Sequence, residues 1–182
     1  MSKRNAEIFG QILVGLTMLA ALPVSIKAQT EEPKYKIDVK WDKFKDIRTT
    51  VLNPMQTEQK KGLFPVLFFA GFDCPGTAAC TPQEVIFVFL IATDSDGYHG
   101  QGIARAIRDG VRQQPYKLID DGQIDAIPMS PLPVHVFRAR MRPEALTLIA
   151  NSKLMEYQID GVEFNLTPDI MAGLRDLASR MK

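Results

Sequence analysis

The chain is poor in the residues that build metal and redox centres. Its 182 residues include two cysteines, two histidines and one tryptophan. A zinc site built on Cys74 and Cys80 would need two further ligands, and only His99 and His135 remain to offer imidazole. Redox pairs are usually spaced Cys-x-x-Cys, whereas Pro75 to Ala79 separate these two. No metal and no cofactor is therefore expected. Charge of one sign is also lacking. There are 22 basic and 21 acidic side chains, which predicts no long-range attraction to nucleic acid or anionic lipid. No Gly-x-Ser-x-Gly elbow occurs, and there are no repeats and no low-complexity segment.

What is present begins with an export signal. Lys3 and Arg4 precede an apolar run, Ile12–Leu22, broken only by Gly15 and Thr17. Pro23 follows, and Ala28 offers a small residue for cleavage before Gln29. Charge, apolar run and small residue in that order form the secretory pattern. The run is shorter than the ~20 apolar residues of a spanning helix, although an uncleaved anchor is the alternative. The expected organisation is a signal peptide over 1–28 and one exported domain over 29–182, with no membrane span after cleavage. Removing residues 1–28 leaves 19 basic and 20 acidic side chains. In an oxidising compartment Cys74 and Cys80 are expected to form a structural disulfide.

The exported part reads as mainly β. Tyr35, Ile37, Val39 and Trp41 alternate with Lys and Asp, the period of a half-buried strand with Trp41 as a core anchor. Arg48–Leu52 suggests a second strand, and Asn53–Gly62, with Pro54, a loop. Val66–Phe72 and Val85–Ala92 are apolar on both faces, so they are expected to be covered on both sides, in the middle of the sheet system. Asp-Gly steps at 96, 109, 121 and 160 are candidate tight turns. The step at Asp160 separates matching strands around Tyr157 and Phe164, and the step at Asp121 suggests a hairpin after Tyr116. Ile103–Arg112 fits either a helix or a hairpin turning at Asp109-Gly110. Helices are expected over Pro143–Asn151 and from Pro168. Thr167 would cap the second, and Ile170, Leu174, Leu177 and Met181 would form its buried stripe. The fold class is an α+β domain: a β-sandwich or partly open barrel of roughly seven to nine strands, with a C-terminal helix packed against it.

Chemical constellations are sparse. Thr93–Gly100 opens like a calcium loop. With Asp94 as position one, however, Tyr98 and Arg105 fall where an EF-hand needs oxygen ligands. Ser95 with His99, or Cys74 with His135, could serve an extracytoplasmic hydrolase, but no catalytic residue is assigned. The Cys74–Cys80 loop would suit a small protein inhibitor. The most physical lead is Arg138, Arg140 and Arg142, which alternate with Phe137, Ala139 and Met141. On a strand they form a guanidinium ridge spaced ~7 Å apart. Such a ridge suits an envelope protein or an anionic polymer. Otherwise it marks a charged edge strand, or a face paired with carboxylates. The expected function is a non-catalytic exported binding module that takes no nucleic acid, its oligomeric state left open.

Trp41-Asp42-Lys43-Phe44, Phe69-Ala70-Gly71-Phe72 and the run Leu154 to Phe164 together resemble small exported bacterial β-domain proteins of uncharacterised type. The resemblance is one of layout. It implies an exported β domain and no activity.

Overall fold

The structure, a computed structural model, describes residues 34–61, 66–92, 102–124 and 134–182. The signal segment 1–28 and the Thr93–Gly100 run, with Ser95 and His99, lie outside the described residues. The described chain forms two antiparallel sheets and two helices.

The first sheet is ordered β1 (Ile37–Asp42), β2 (Ile47–Gln56), β4 (Val66–Pro75), β5 (Val85–Ala92), β10 (Val134–Met141) and β9 (Ile119–Ile124). The second is ordered β3 (Glu58–Lys61), β12 (Val162–Asn165), β11 (Met155–Ile159), β6 (Ile103–Arg108) and β7 (Val111–Arg112), with β8 (Tyr116–Lys117) beside β6. The result is a sandwich. No barrel closes, because β1 and β9 end the first sheet. The two continuous apolar strands, β4 and β5, lie at its centre as their composition predicts.

Aromatic side chains carried by alternate strand positions meet between the sheets. Phe68 packs edge-on to Phe87 at 5.0 Å, and Phe89 reaches across to Tyr157 at 5.4 Å and Phe164 at 5.9 Å. All five are buried. Aromatic pairs in such tilted and edge arrangements add about 0.5–1.5 kcal/mol each beyond the area they bury. The C-terminal helix α2 (Pro168–Ser179) follows its expected signals. The Thr167 hydroxyl accepts from the Ile170 amide at 3.2 Å, and Ile170, Leu174 and Leu177 are buried. Helix α2 packs on β2 and on α1 (Pro143–Ala150), and a Cβ at Gly173 would stand 2.6 Å from a Leu52 methyl.

Two Asp-Gly steps turn as expected. Asp109 and Gly110 have φ of 50° and 82°, Asp160 and Gly161 of 45° and 93°, and both join hairpins. The hairpin reading of Ile103–Arg112 is the observed one. In each turn the Asp carboxylate also ties down a second segment. Asp160 accepts from the Gly102 amide at 2.7 Å, and Asp109 from the Lys153 and Leu154 amides at 2.8 and 2.9 Å.

Four expectations are corrected. Asp121-Gly122 is no turn: it lies inside β9, where the register against β10 shifts between His135 and Phe137. An Asp-Gly step eases an irregularity within a strand as readily as a turn. Residues 53–61 are not a loop. Strand β2 runs on to Gln56 with a register shift between Leu52 and Met55, and β3 then joins the other sheet. Pro54 is tolerated at that irregularity because it has no N–H to give the ladder. Trp41 is not a core anchor. It is 53% exposed, since β1 is an edge strand and its apolar face extends past the covering layer. The described residues contain twelve strands, more than expected, because short pairings such as β7 and β8 leave little trace in a hydropathy pattern.

Candidate functional site

The two sheets differ on their outer faces. The second sheet presents polar groups that satisfy one another. Lys60 pairs with Glu156, Arg105 donates to Gln158 at 3.3 Å, and Gln158 donates to Glu163 at 2.8 Å. A solvated sandwich face is built this way. On the first sheet the outer face carries an apolar patch at its centre. Register places Val51, Gly71, Ile86 and Arg140 in one row across β2, β4, β5 and β10, and Phe69, Val88 and Arg138 in the next. Leu67, Leu90 and Val136 form a third.

This face is concave. A cavity of about 780 Å³ opens over it, floored by Val51, Phe69, Ile86, Val88 and Val136. Gly71 supplies the hollow, since the middle of its row carries no side chain. Its strand could not readily accept one: a Cβ would lie 2.8 Å from the Thr50 carbonyl oxygen. Gly inside a strand often marks close approach by a ligand or another backbone. Polar groups rim the floor. The Thr49 hydroxyl donates to Asp73 at 2.6 Å, and Arg138 stands at the opposite side.

The arginine ridge is partly assembled. Arg138 and Arg140 share the outer face, Arg138 half-buried in the cavity wall and Arg140 exposed. Arg142 has left the strand and occupies the position before α1 without capping it through its side chain. Strand β10 lies between β5 and β9, so the charged-edge reading fails. Carboxylate pairing holds for Arg140, whose guanidinium is 3.4 Å from Glu84.

The remaining sequence leads go elsewhere. Cys74 and Cys80 stand at disulfide distance, with Cα atoms 5.8 Å apart. Their loop is held down: the Gly76 amide donates to Asp46 at 2.7 Å, Arg48 to the Thr77 carbonyl at 3.2 Å, and the Lys182 amide to the Cys80 carbonyl at 3.2 Å. His135 is buried on the inner face, its ring stacked against Phe137. Among the described residues no group of three His, Cys, Asp or Glu side chains could hold a metal ion, and no helix is long and apolar enough to cross a membrane.

A smaller cavity of about 330 Å³ lies between β6, β8, the end of β10 and α1. It is walled by Met141, Ile149 and Met155 and reaches Tyr116 and Tyr157. Burial pushes the Tyr116 hydroxyl up to about 12 and holds that of Tyr157 well above the ordinary tyrosine value. The two phenols act on each other as well: Tyr157 lowers Tyr116 somewhat against that burial, and the neighbouring Tyr116 adds to the rise at Tyr157.

Comparison with known proteins returns no matching family model, no matching curated protein and no matching solved structure. The site therefore rests on its own geometry. Sequence reasoning singled out the arginines of β10 but missed the apolar floor next to Arg138. Its signal was the run Val85–Ala92, whose alternate residues face opposite sides and are apolar on both.

Proposed function

We propose that the protein is an exported, non-catalytic binding module that takes an amphipathic acidic ligand onto the outer face of its first sheet. The observation that carries this reading is the apolar concavity of about 780 Å³, in a position where the other sheet is polar. Its volume falls in the ~300–1,000 Å³ range of ligand clefts. Val51, Phe69, Ile86, Val88 and Val136 suit an apolar body. Arg138 in the cavity wall suits the acidic end of such a ligand, because a guanidinium has five donors and can serve more than one acceptor at once. Export is supported by the Lys3-Arg4 start, the apolar run behind it, and the Cys74–Cys80 pair. The product exported by a producing cell is expected to begin at Gln29, as amino-terminal sequencing would show.

Binding is tested with anilinonaphthalene sulfonate, an apolar ring system bearing one anion. The folded protein should enhance its fluorescence saturably at one site. Val136→Asp, which puts a repelling charge on the half-buried edge of the floor, should weaken binding about tenfold or more, equivalent to about 1.4 kcal/mol. Arg138→Ala should remove most of the salt dependence. Absence of saturable binding, or equal affinity in Val136→Asp, would overturn the reading.

A further inference from the structure

Strand β1 ends the first sheet, and among the described residues no strand pairs with its outer edge. The Asn53 amide donates to the Lys36 carbonyl at 2.9 Å. With the β1–β2 register, this sets the backbone groups of residues 36, 38, 40 and 42 toward β2. Those of Ile37, Val39 and Trp41 therefore point to the open edge. The side chains of the same three residues lie on the inner face, where Val39 is 49% and Trp41 53% exposed. Phe44, at the hairpin turn, is 90% exposed.

Natural edges are commonly blunted by lysines, which repel any incoming strand. This edge instead alternates sign along its outer face: Lys36, Asp38, Lys40, Asp42. An antiparallel copy of the strand centred on Val39 would place Lys36 opposite Asp42, Asp38 opposite Lys40, Val39 opposite itself and Trp41 opposite Ile37. Every charged pair is then of opposite sign, and every backbone group facing the edge finds a partner. Sliding the copy by two residues in one direction sets Asp38 against Asp38 and Lys36 against Lys40. Sliding it the other way sets Lys40 against Lys40 and Asp38 against Asp42. Like charges directly opposite are destabilising, so the pattern disfavours both neighbouring registers, and the one centred on Val39 makes the most opposite-sign pairs.

We infer that β1 is a self-complementary docking edge, and that its occupant is β1 of a second copy, paired antiparallel about a two-fold axis at Val39. A two-fold interface requires one patch that complements itself, and this strand has that property in both charge and backbone parity. The pairing covers Val39 and Trp41 and joins the two first sheets into one. The axis is perpendicular to the joined sheet, so both outer-face concavities open on the same side and can engage one surface together.

The test is the mass of the purified protein by sedimentation as concentration is raised. Wild type should move to twice the monomer mass. Asp38→Lys and Lys40→Asp, each alone, set like charges opposite one another and should stay monomeric. Mixed together they should form a heterodimer, because each then presents the charges the other lacks. Val39→Pro removes an N–H that faces the edge without touching the β1–β2 ladder, and should also abolish the dimer with the fold retained by circular dichroism. A wild type that stays monomeric at all concentrations overturns the inference, leaving the edge to another segment of the chain or to a different partner. A dimer that survives the three single substitutions also overturns it by placing the contact elsewhere.

Discussion

Gly71 stands directly opposite Val51 in the β2–β4 ladder, and a Cβ at Gly71 would lie 3.1 Å from the Val51 Cγ2 methyl. The same atom would lie 2.8 Å from the Thr50 carbonyl oxygen, which is backbone and cannot swing aside. In most strands Gly→Ala stabilises, since Ala has less freedom to lose on folding. Here the expected sign is reversed. Gly71→Ala should destabilise by about 1–3 kcal/mol, the usual cost of forcing atoms into a packed site. A lowered denaturant midpoint with an unchanged slope would show it. A rise in midpoint would mean that β2 yields easily and that the hollow is no constraint.

Asp109 does two things at once. Its φ of 50° forms the β6–β7 turn, and its carboxylate holds the Lys153 and Leu154 amides where the chain enters β11. Three substitutions separate these roles. Asp109→Asn keeps a residue that tolerates positive φ and retains one acceptor, and should cost under about 1 kcal/mol. Asp109→Gly keeps the turn but removes the bonds, at about 1–2 kcal/mol for exposed amides that water can partly satisfy. Asp109→Ala loses the bonds and also strains the backbone, adding about 1 kcal/mol. The order of midpoints should be Asn above Gly above Ala. Equal values for Gly and Ala would show that backbone strain plays no part.

These two sites mark where the sequence could be read and where it could not. Strands β4, β5, β11 and β12 and helix α2 were legible because short-range chemistry decides them: apolar period, an Asp-Gly turn, a Thr-Pro-Asp start. Trp41 was misplaced for a different reason. Alternation says that Ile37, Val39 and Trp41 share one face, which they do, but not whether another layer reaches far enough to cover it. Asp121-Gly122 was misread because the dipeptide eases a turn and a strand irregularity alike. The site fell between these cases. Val85–Ala92 announced two apolar faces, and the natural conclusion was cover on both sides. That one face is instead an open concavity depends on Gly71, Val51 and Ile86 aligning across three strands. Such a row exists only once register is known.

The tyrosine pair sets the alkaline limit of stability. Tyr116 is pushed up to about 12 and Tyr157 is held well above the ordinary tyrosine value, both chiefly by burial, with the neighbouring Tyr116 adding to the rise at Tyr157. In the unfolded chain both titrate near the ordinary tyrosine value of about 10. Above that pH the unfolded state binds fewer protons than the native state, so stability falls as pH rises. The contribution is complete below about pH 10. It then declines by about 1.4 kcal/mol per pH step for each tyrosine, until the native hydroxyl also ionises. For Tyr116 the loss ends near pH 12, after on the order of 2–3 kcal/mol. Unfolding free energies measured from pH 9 to 12 should show this slope. Tyr116→Phe should flatten it by about half. Equal slopes in wild type and variant would mean that water reaches the pair, and that the cavity beside Met141 and Met155 is wet down to its tyrosines.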